Sequence, residues 1–127
     1  MKINDPDIID EVALAFTAYE AALMANDIAA LDALFWASDK TVRIGPGQNL
    51  YGIEAIQQFR ADRPGGSPQR SLTRVAITSF GSDFATASAE FQREGTTAIG
   101  RQTQSWVRFP EGWRVVNAHI SLIGEGH

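Results

Sequence analysis

Tyr19, Arg43 and His119 are the residues whose types and positions could act on a small polar molecule. Tyr19 belongs to a stripe of Ile8, Val12, Phe16, Tyr19 and Leu23, spaced by four, four, three and four residues, which is one face of a helix. A phenol there either packs in a core with its hydroxyl satisfied or points into a pocket as a hydrogen-bond or proton donor. Arg43 stands between Val42 and Ile44 in a short strand-like piece. If the two aliphatic residues point one way, Arg43 points the other. Facing out, it is a solvated arginine; facing in, it is a rigid fork suited to a carboxylate. His119 is the interior histidine, His127 being the last residue. Strand alternation gives it one face with Trp113, Val115, Asn117 and Ser121, where it would orient or deprotonate water or serve as a hydrogen-bonded structural residue.

A second tier could shape a pocket. Gln102, Gln104 and Trp106 alternate onto one strand face, and a polar, polar, aromatic series suits a pocket wall better than a plain core, with an exposed or interface face as the other reading. Trp36 follows a helix and is either core or wall; Asn49 is a candidate amide contact. Arg70, Arg74, Arg93 and Arg101 read as surface or interface residues, with Arg101 the one favoured for a second anion contact. The chain has no cysteine, hence no disulfide, thiolate nucleophile or thiolate metal site. No phosphate-binding loop, dinucleotide fingerprint, His-Glu-x-x-His helix or carboxylate cluster at metal spacing occurs, and no metal is expected. No local arrangement suggests a serine triad, so direct attack by water is simpler than a covalent intermediate.

The elements that must position these residues follow from pattern. Asp5-Pro6 starts a first helix that ends near Ala25-Asn26; Asn26-Asp27 caps a second helix with Ile28, Leu31, Leu34 and Phe35 inward. Thr41–Ile44 is a short strand, Gly45-Pro46-Gly47 a turn, Tyr51–Arg60 a third helix, and Arg63–Pro68 a loop. Four strands follow, 70–79, 84–93, 98–109 and 113–123, separated by Gly81-Ser82-Asp83, Glu94-Gly95-Thr96 and Pro110-Glu111-Gly112. Such short connections force antiparallel neighbours. Helices first and a meander afterwards predict an α+β domain over residues 1–127, with three N-terminal helices packed on a curved, mainly antiparallel sheet, a cone-shaped roll open at one end. The 127 residues suffice for one core. A net charge of −4 opposes sequence-independent nucleic-acid binding. No apolar run approaches a membrane span, and the N-terminus lacks a signal-peptide core, so a cytoplasmic location is expected.

Particular segments carry a resemblance. The helical hairpin with Tyr19, the run Tyr51-Gly52-Ile53-Glu54-Ala55-Ile56, and the terminal hairpin from Gln104 to Ser121 look like the SnoaL-like branch of the nuclear-transport-factor-2 superfamily. Within it, the opening Met1-Lys2-Ile3-Asn4-Asp5-Pro6, Leu34-Phe35-Trp36, Thr41–Gly45 with Asn49–Gly52, and Gly100–Val116 resemble the family typified by the AtzH and HpxZ proteins of cyanuric acid and oxalurate catabolism. The similarity runs over nearly the whole chain, the Pro64–Gln69 loop excepted. It implies a cofactor-free amidohydrolase that removes a carboxyl unit from a dicarboxylated urea, giving allophanate, with Tyr19 and Arg43 as its catalytic pair. In the related ketosteroid isomerases a carboxylate base stands near the place of Arg43. An arginine cannot abstract a proton at neutral pH, so anion capture is favoured over isomerisation.

The expectation is therefore a hydrolase of linear amide bonds acting on a small anion such as 1,3-dicarboxyurea. Arg43 would hold a carboxylate and Tyr19 donate a hydrogen bond or proton, with Trp36, Asn49, Gln104, Trp106 and His119 contacting substrate. A homodimer paired through the convex sheet face is expected, using either the Phe84, Thr86, Ser88 set or the Ala85, Ala87, Ala89, Phe91 set. The other readings are a non-catalytic binding or assembly module accompanying an amidase, and an isomerase or dehydratase of an apolar ring compound.

Overall fold

The computed structural model describes residues 1–124; His127 lies outside them. Helix α1 spans Pro6–Ala25. Asp5 caps it by accepting from the Asp7 N–H at 3.1 Å, and Pro6 occupies the first turn, where its missing N–H costs nothing. It stops where Asn26 turns left-handed, at φ 52°, a conformation asparagine tolerates better than most residues. Asp27 then caps α2, Ile28–Leu34, through Ala30 N–H at 3.1 Å. The stripe Ile8, Val12, Phe16, Tyr19, Leu23 is buried along its whole length.

Strand β1 is Val42–Ile44 and β2 is Asn49–Tyr51, joined by a turn closed from Gly45 N–H to Gln48 C=O at 2.8 Å. Helix α3 covers Ile53–Asp62, two residues later than the sequence pattern suggests. Gly52 precedes it at φ 91°, an angle outside any right-handed helix and costly for other residues. Tyr51 is consequently a strand residue, 66% exposed.

The meander consists of β3 (Arg70–Phe80), β4 (Phe84–Arg93), β5 (Ile99–Phe109) and β6 (Gly112–Ile123). The strands form one six-stranded sheet in the order β2-β1-β6-β5-β4-β3, in which only the β1–β6 pairing is parallel. The three helices lie on its concave face, so the expected α+β cone is the observed architecture. On β4, Ala85, Ala87, Ala89 and Phe91 point into the core and Phe84, Ser88 and Glu90 outward, which decides between the two sets that alternation left open. Small alanines let the helices approach the sheet, and Phe91 fills the space over Gly100. A Cβ on Gly100 would fall 2.1 Å from that ring.

One irregularity controls the last strand. The β5–β6 register slips between Ser105 and Trp106, opposite Val115–Asn117. A bulge adds a residue and reverses the alternation beyond it. Trp113 and Val115 face inward before it; Ala118 and Ile120 face inward after it. His119 and Asn117, expected on the Val115 face, are exposed on the convex side. Among the described residues no helix is long and apolar enough to cross a membrane.

Candidate functional site

The inner face of the sheet carries one row that crosses every strand: Leu50, Arg43, Ala118, Gln104, Ala87, Ile77. Arg43 therefore points into the cone while Val42 and Ile44 face out, the reverse of the usual fate of a charged strand residue. It is 9% exposed. Its guanidinium carbon lies 5.0 Å from the centroid of Phe59 on α3, a cation–π contact that partly replaces lost hydration. Burial pushes its pKa down to about 10; Tyr19 opposes that shift, and Arg63, Arg60 and Arg70 add to it. At neutral pH Arg43 stays charged. Among the described residues it has no carboxylate within 4.0 Å, and its buried Nη1 has no acceptor.

Other arginines share the interior but divide by partner. Arg60, on α3, is 6% exposed, donates to Asp32 at 2.6 Å and lies 4.3 Å over Phe35. Arg70, on β3, makes a two-pronged contact with Glu20 of α1 and lies 4.2 Å over Phe91. Each carries its own counter-charge. Arg63, at the end of α3, has none within 4.0 Å among the described residues: its guanidinium sits 4.9 Å over Phe59, its buried Nε has no acceptor, and burial, opposed by Tyr19, lowers its pKa.

The two glutamines complete the pattern. Gln104 is buried, and its Oε1 accepts from the Trp106 indole N–H at 3.1 Å. Gln102 is buried, and its Oε1 accepts from Arg70 at 3.2 Å. Both amide oxygens are thereby engaged, and both Nε2 groups are left without an acceptor. Arg43 Nη1, Arg63 Nε, Gln102 Nε2 and Gln104 Nε2 are all donors. An unpaired buried donor costs about 1–3 kcal/mol, more when charged. Donors of this kind on the sheet's concave face and at the end of α3 suit a ligand that supplies only acceptors and negative charge. Tyr19 completes the set. Its ring is 4% exposed and packs 6.2 Å from Phe35, it acts electrostatically on both Arg43 and Arg63, and its hydroxyl has no hydrogen-bond partner among the described residues.

Tyr19, Arg43, Gln104 and Trp106 thus meet in the cone. The remaining residues expected on the substrate do not. Trp36 stacks 5.5 Å from Phe109 at 20°, lining an outer groove of about 440 Å³ with Asp32, Phe109, Glu111 and Arg114; its neighbour Phe35 takes the inward position. Asn49 is exposed beside Ile44 on the outer face of β2. His119 stands between Ile44 and Thr103 on the convex face, put there by the bulge. Arg101, expected as a second anion contact, is also outside and donates to Ser121 at 3.2 Å. Among the described residues Arg63 is a further cation with no carboxylate within 4.0 Å, and Arg70 is buried rather than superficial. Arg63 lies beyond the helical periodicity, in a loop that carries no facing signal. Among the described residues no group of three histidine or acidic side chains is placed to hold a metal.

Three helices inside a curved sheet, with polar donors on the sheet's concave face, define a protein of the nuclear-transport-factor-2-like class. The chain belongs to the AtzH-like family, whose model matches residues 1–126. A protein of unknown function from Pectobacterium atrosepticum, of the DUF3225 family, is 53% identical over 96% of this chain and 95% of its own, with a TM-score of 0.93. A cystatin-like fold protein from Burkholderia xenovorans is 47% identical over 97% of both chains, also at 0.93. A nuclear-transport-factor-2-like protein from Salmonella enterica is 25% identical over 96% of this chain and 99% of its own, at 0.75. No curated protein matches the chain.

Proposed function

We propose that the protein is a cofactor-free amidohydrolase acting on a small carboxylated urea, 1,3-dicarboxyurea being the model substrate, in the catabolism of cyanuric acid or of oxalurate and purines. The carrying observation is a set of donors on the concave face: Arg43 is charged, buried and, among the described residues, without a carboxylate, and the amide nitrogens of Gln102 and Gln104, on the same face of the sheet, have no acceptor. Carboxylated ureas offer carboxylate and carbonyl oxygens, which are acceptors throughout. In the proposed reaction Arg43 holds the carboxylate to be removed. The bond between nitrogen and carboxyl carbon breaks, and the nitrogen takes a proton from the Tyr19 hydroxyl, which is restored from solvent. The carbon leaves as carbon dioxide, so that with its hydration the net change is addition of water across the carbon–nitrogen bond. Gln104, fixed by Trp106, donates to the urea carbonyl. In this apolar surround such contacts are worth more than in water. The polar wall also disfavours an isomerase of apolar rings.

The test is carbon dioxide release from freshly prepared carboxylated ureas, with oxalurate as a second compound and Arg43→Ala alongside. Turnover by the native chain, lowered at least about 100-fold in the variant, is the expected result. A folded native protein that turns over none of these compounds removes the hydrolase reading and favours a binding module that serves an amidase.

A further inference from the structure

The charge count in the cavity goes further than the catalytic pair. Arg60 and Arg70 are neutralised by Asp32 and Glu20. Among the described residues Arg43 and Arg63 have no carboxylate within 4.0 Å, and they share one aromatic ring, at 5.0 and 4.9 Å from the Phe59 centroid. The guanidinium carbons are therefore separated by no more than those two distances end to end. Two like charges held so close in a partly dry site repel each other unless something negative accompanies them. One carboxylate can complete one guanidinium; it leaves the other in the state in which it began. Two carboxylates carried on one short molecule complete both.

The fold also holds Arg63 in position. It is the C-terminal cap of α3, with its own N–H on the Arg60 carbonyl at 3.4 Å, where the helix's carbonyl end favours a cation. The loop that follows is tied down. Gly66, at φ 72°, packs so closely on Asn26 that a Cβ would lie 2.4 Å from its Oδ1; Ser67 is buried; and Gln69 donates to the Met24 carbonyl at 3.0 Å. Arg63 thus emerges from a helix end whose continuation is fastened to the α1–α2 turn.

We propose that Arg63 is a second carboxylate clamp, working with Arg43 across the shared Phe59 ring, and that it makes the cavity selective for a small linear dianion over a monoanion. Arg63 is a specificity-determining residue in this assignment: Arg43 sets whether an anion binds, and Arg63 sets how many negative ends it must carry. The inference rests on the anion-cavity reading above but not on the hydrolytic step.

The experiment is isothermal titration of the full chain with acetate, malonate and succinate, in the native protein and in Arg63→Gln, Arg63→Lys and Arg43→Gln. A charged hydrogen-bonded contact contributes on the order of 1.5–3 kcal/mol, or about 10- to 100-fold. The native chain should therefore prefer at least one dicarboxylate to acetate by about 10-fold or more. Arg63→Gln should bring that ratio near one while changing acetate affinity less than about 3-fold. Arg63→Lys, which keeps the charge but not the fork, should retain part of the preference. Arg43→Gln should weaken all three ligands. A dicarboxylate preference that survives intact in a folded Arg63→Gln protein overturns the assignment, as does a native chain with no preference or no binding. A native preference abolished by Arg63→Gln, in a protein that hydrolyses no carboxylated urea, upholds the clamp and refutes the hydrolase.

Discussion

Arg43 is costly to the fold. Its pKa is pushed down to about 10 by burial above all, so the unfolded chain holds this proton more tightly than the native one. By linkage the full burial cost is present below pH 10, and it shrinks as pH rises through 10 toward the ordinary arginine range. The cost is on the order of 3 kcal/mol. A functional site often carries such a cost, and a bound anion offsets it. Arg43→Met should accordingly raise the melting temperature of the ligand-free protein by a few degrees at pH 7 and abolish stabilisation by added dicarboxylate, both read by calorimetry. A variant that melts well below the native protein would mean that Arg43 is held by interactions stronger than the Phe59 contact. Anion affinity should also hold steady up to about pH 9 and fall as Arg43 loses its proton above 10. Tyr19 is the opposite case. Its hydroxyl has no protein partner among the described residues, so Tyr19→Phe should leave the melting temperature within about 1 degree and lower turnover at least about 100-fold. Full activity in that variant takes Tyr19 out of the mechanism.

At the level of elements, legibility tracked the length of the signal. The α1 stripe, the Asp5-Pro6 start, the Asn26 stop and the Asp27 cap were readable because each has a local physical cause confined to a few neighbours. Strand β2, with three residues, is too short to show alternation, and the sequence pattern runs its neighbour Gly52 into a helix that its φ of 91° forbids. The bulge opposite Ser105–Trp106 has no signature in sequence, yet it reverses every side chain after it, which is why His119 read as a pocket residue and is exposed. Tyr19, Arg43, Gln104 and Trp106 were placed together through pattern and resemblance; Arg63 could not be, since a helix cap followed by a loop has no periodicity to give it a face. His119→Ala should therefore leave dicarboxylate affinity unchanged within about 2-fold. Gly66→Ala should disturb the loop, because the added methyl would lie 2.4 Å from Asn26 Oδ1 and the left-handed backbone disfavours any side chain. Its expected effect is selective: dicarboxylate affinity falls toward that of acetate while acetate binding persists. Equal loss of both ligands would show that the loop supports Arg43 as well.

The whole molecule separates two surfaces. The cone's interior gathers cations in a chain of net charge −4, and the convex face, set apart from it by the sheet, has its own pattern. Arg74, Glu90, Arg101 and Ser121 are register neighbours across four strands. Among the described residues Glu90 makes no ion pair within 4.0 Å, although an arginine stands beside it on each side. Arg74, Glu90 and Arg101, with Ala76, Ser88 and Thr103, line an open groove of about 400 Å³. Ile99 and Ile123, paired across β5 and β6 and each 42% exposed, add an apolar margin. A surface with a central acid flanked by bases is complementary to itself when turned by a twofold axis, because Glu90 of one copy can meet Arg74 or Arg101 of the other. The predicted assembly is a homodimer through this face. Sedimentation should give twice the chain mass for the native protein. Glu90→Arg, which sets like charges against each other, should shift it toward monomer, and Arg101→Glu added to that variant should restore pairing. Since the proposed anion site lies on the other side of the sheet, the monomeric variant should keep its dicarboxylate affinity per chain. A native protein that sediments as a monomer at tens of micromolar would rule out pairing through the convex face, whereas loss of affinity on dissociation would mean that the pairing holds the sheet's curvature and, through it, the row from Arg43 to Gln104.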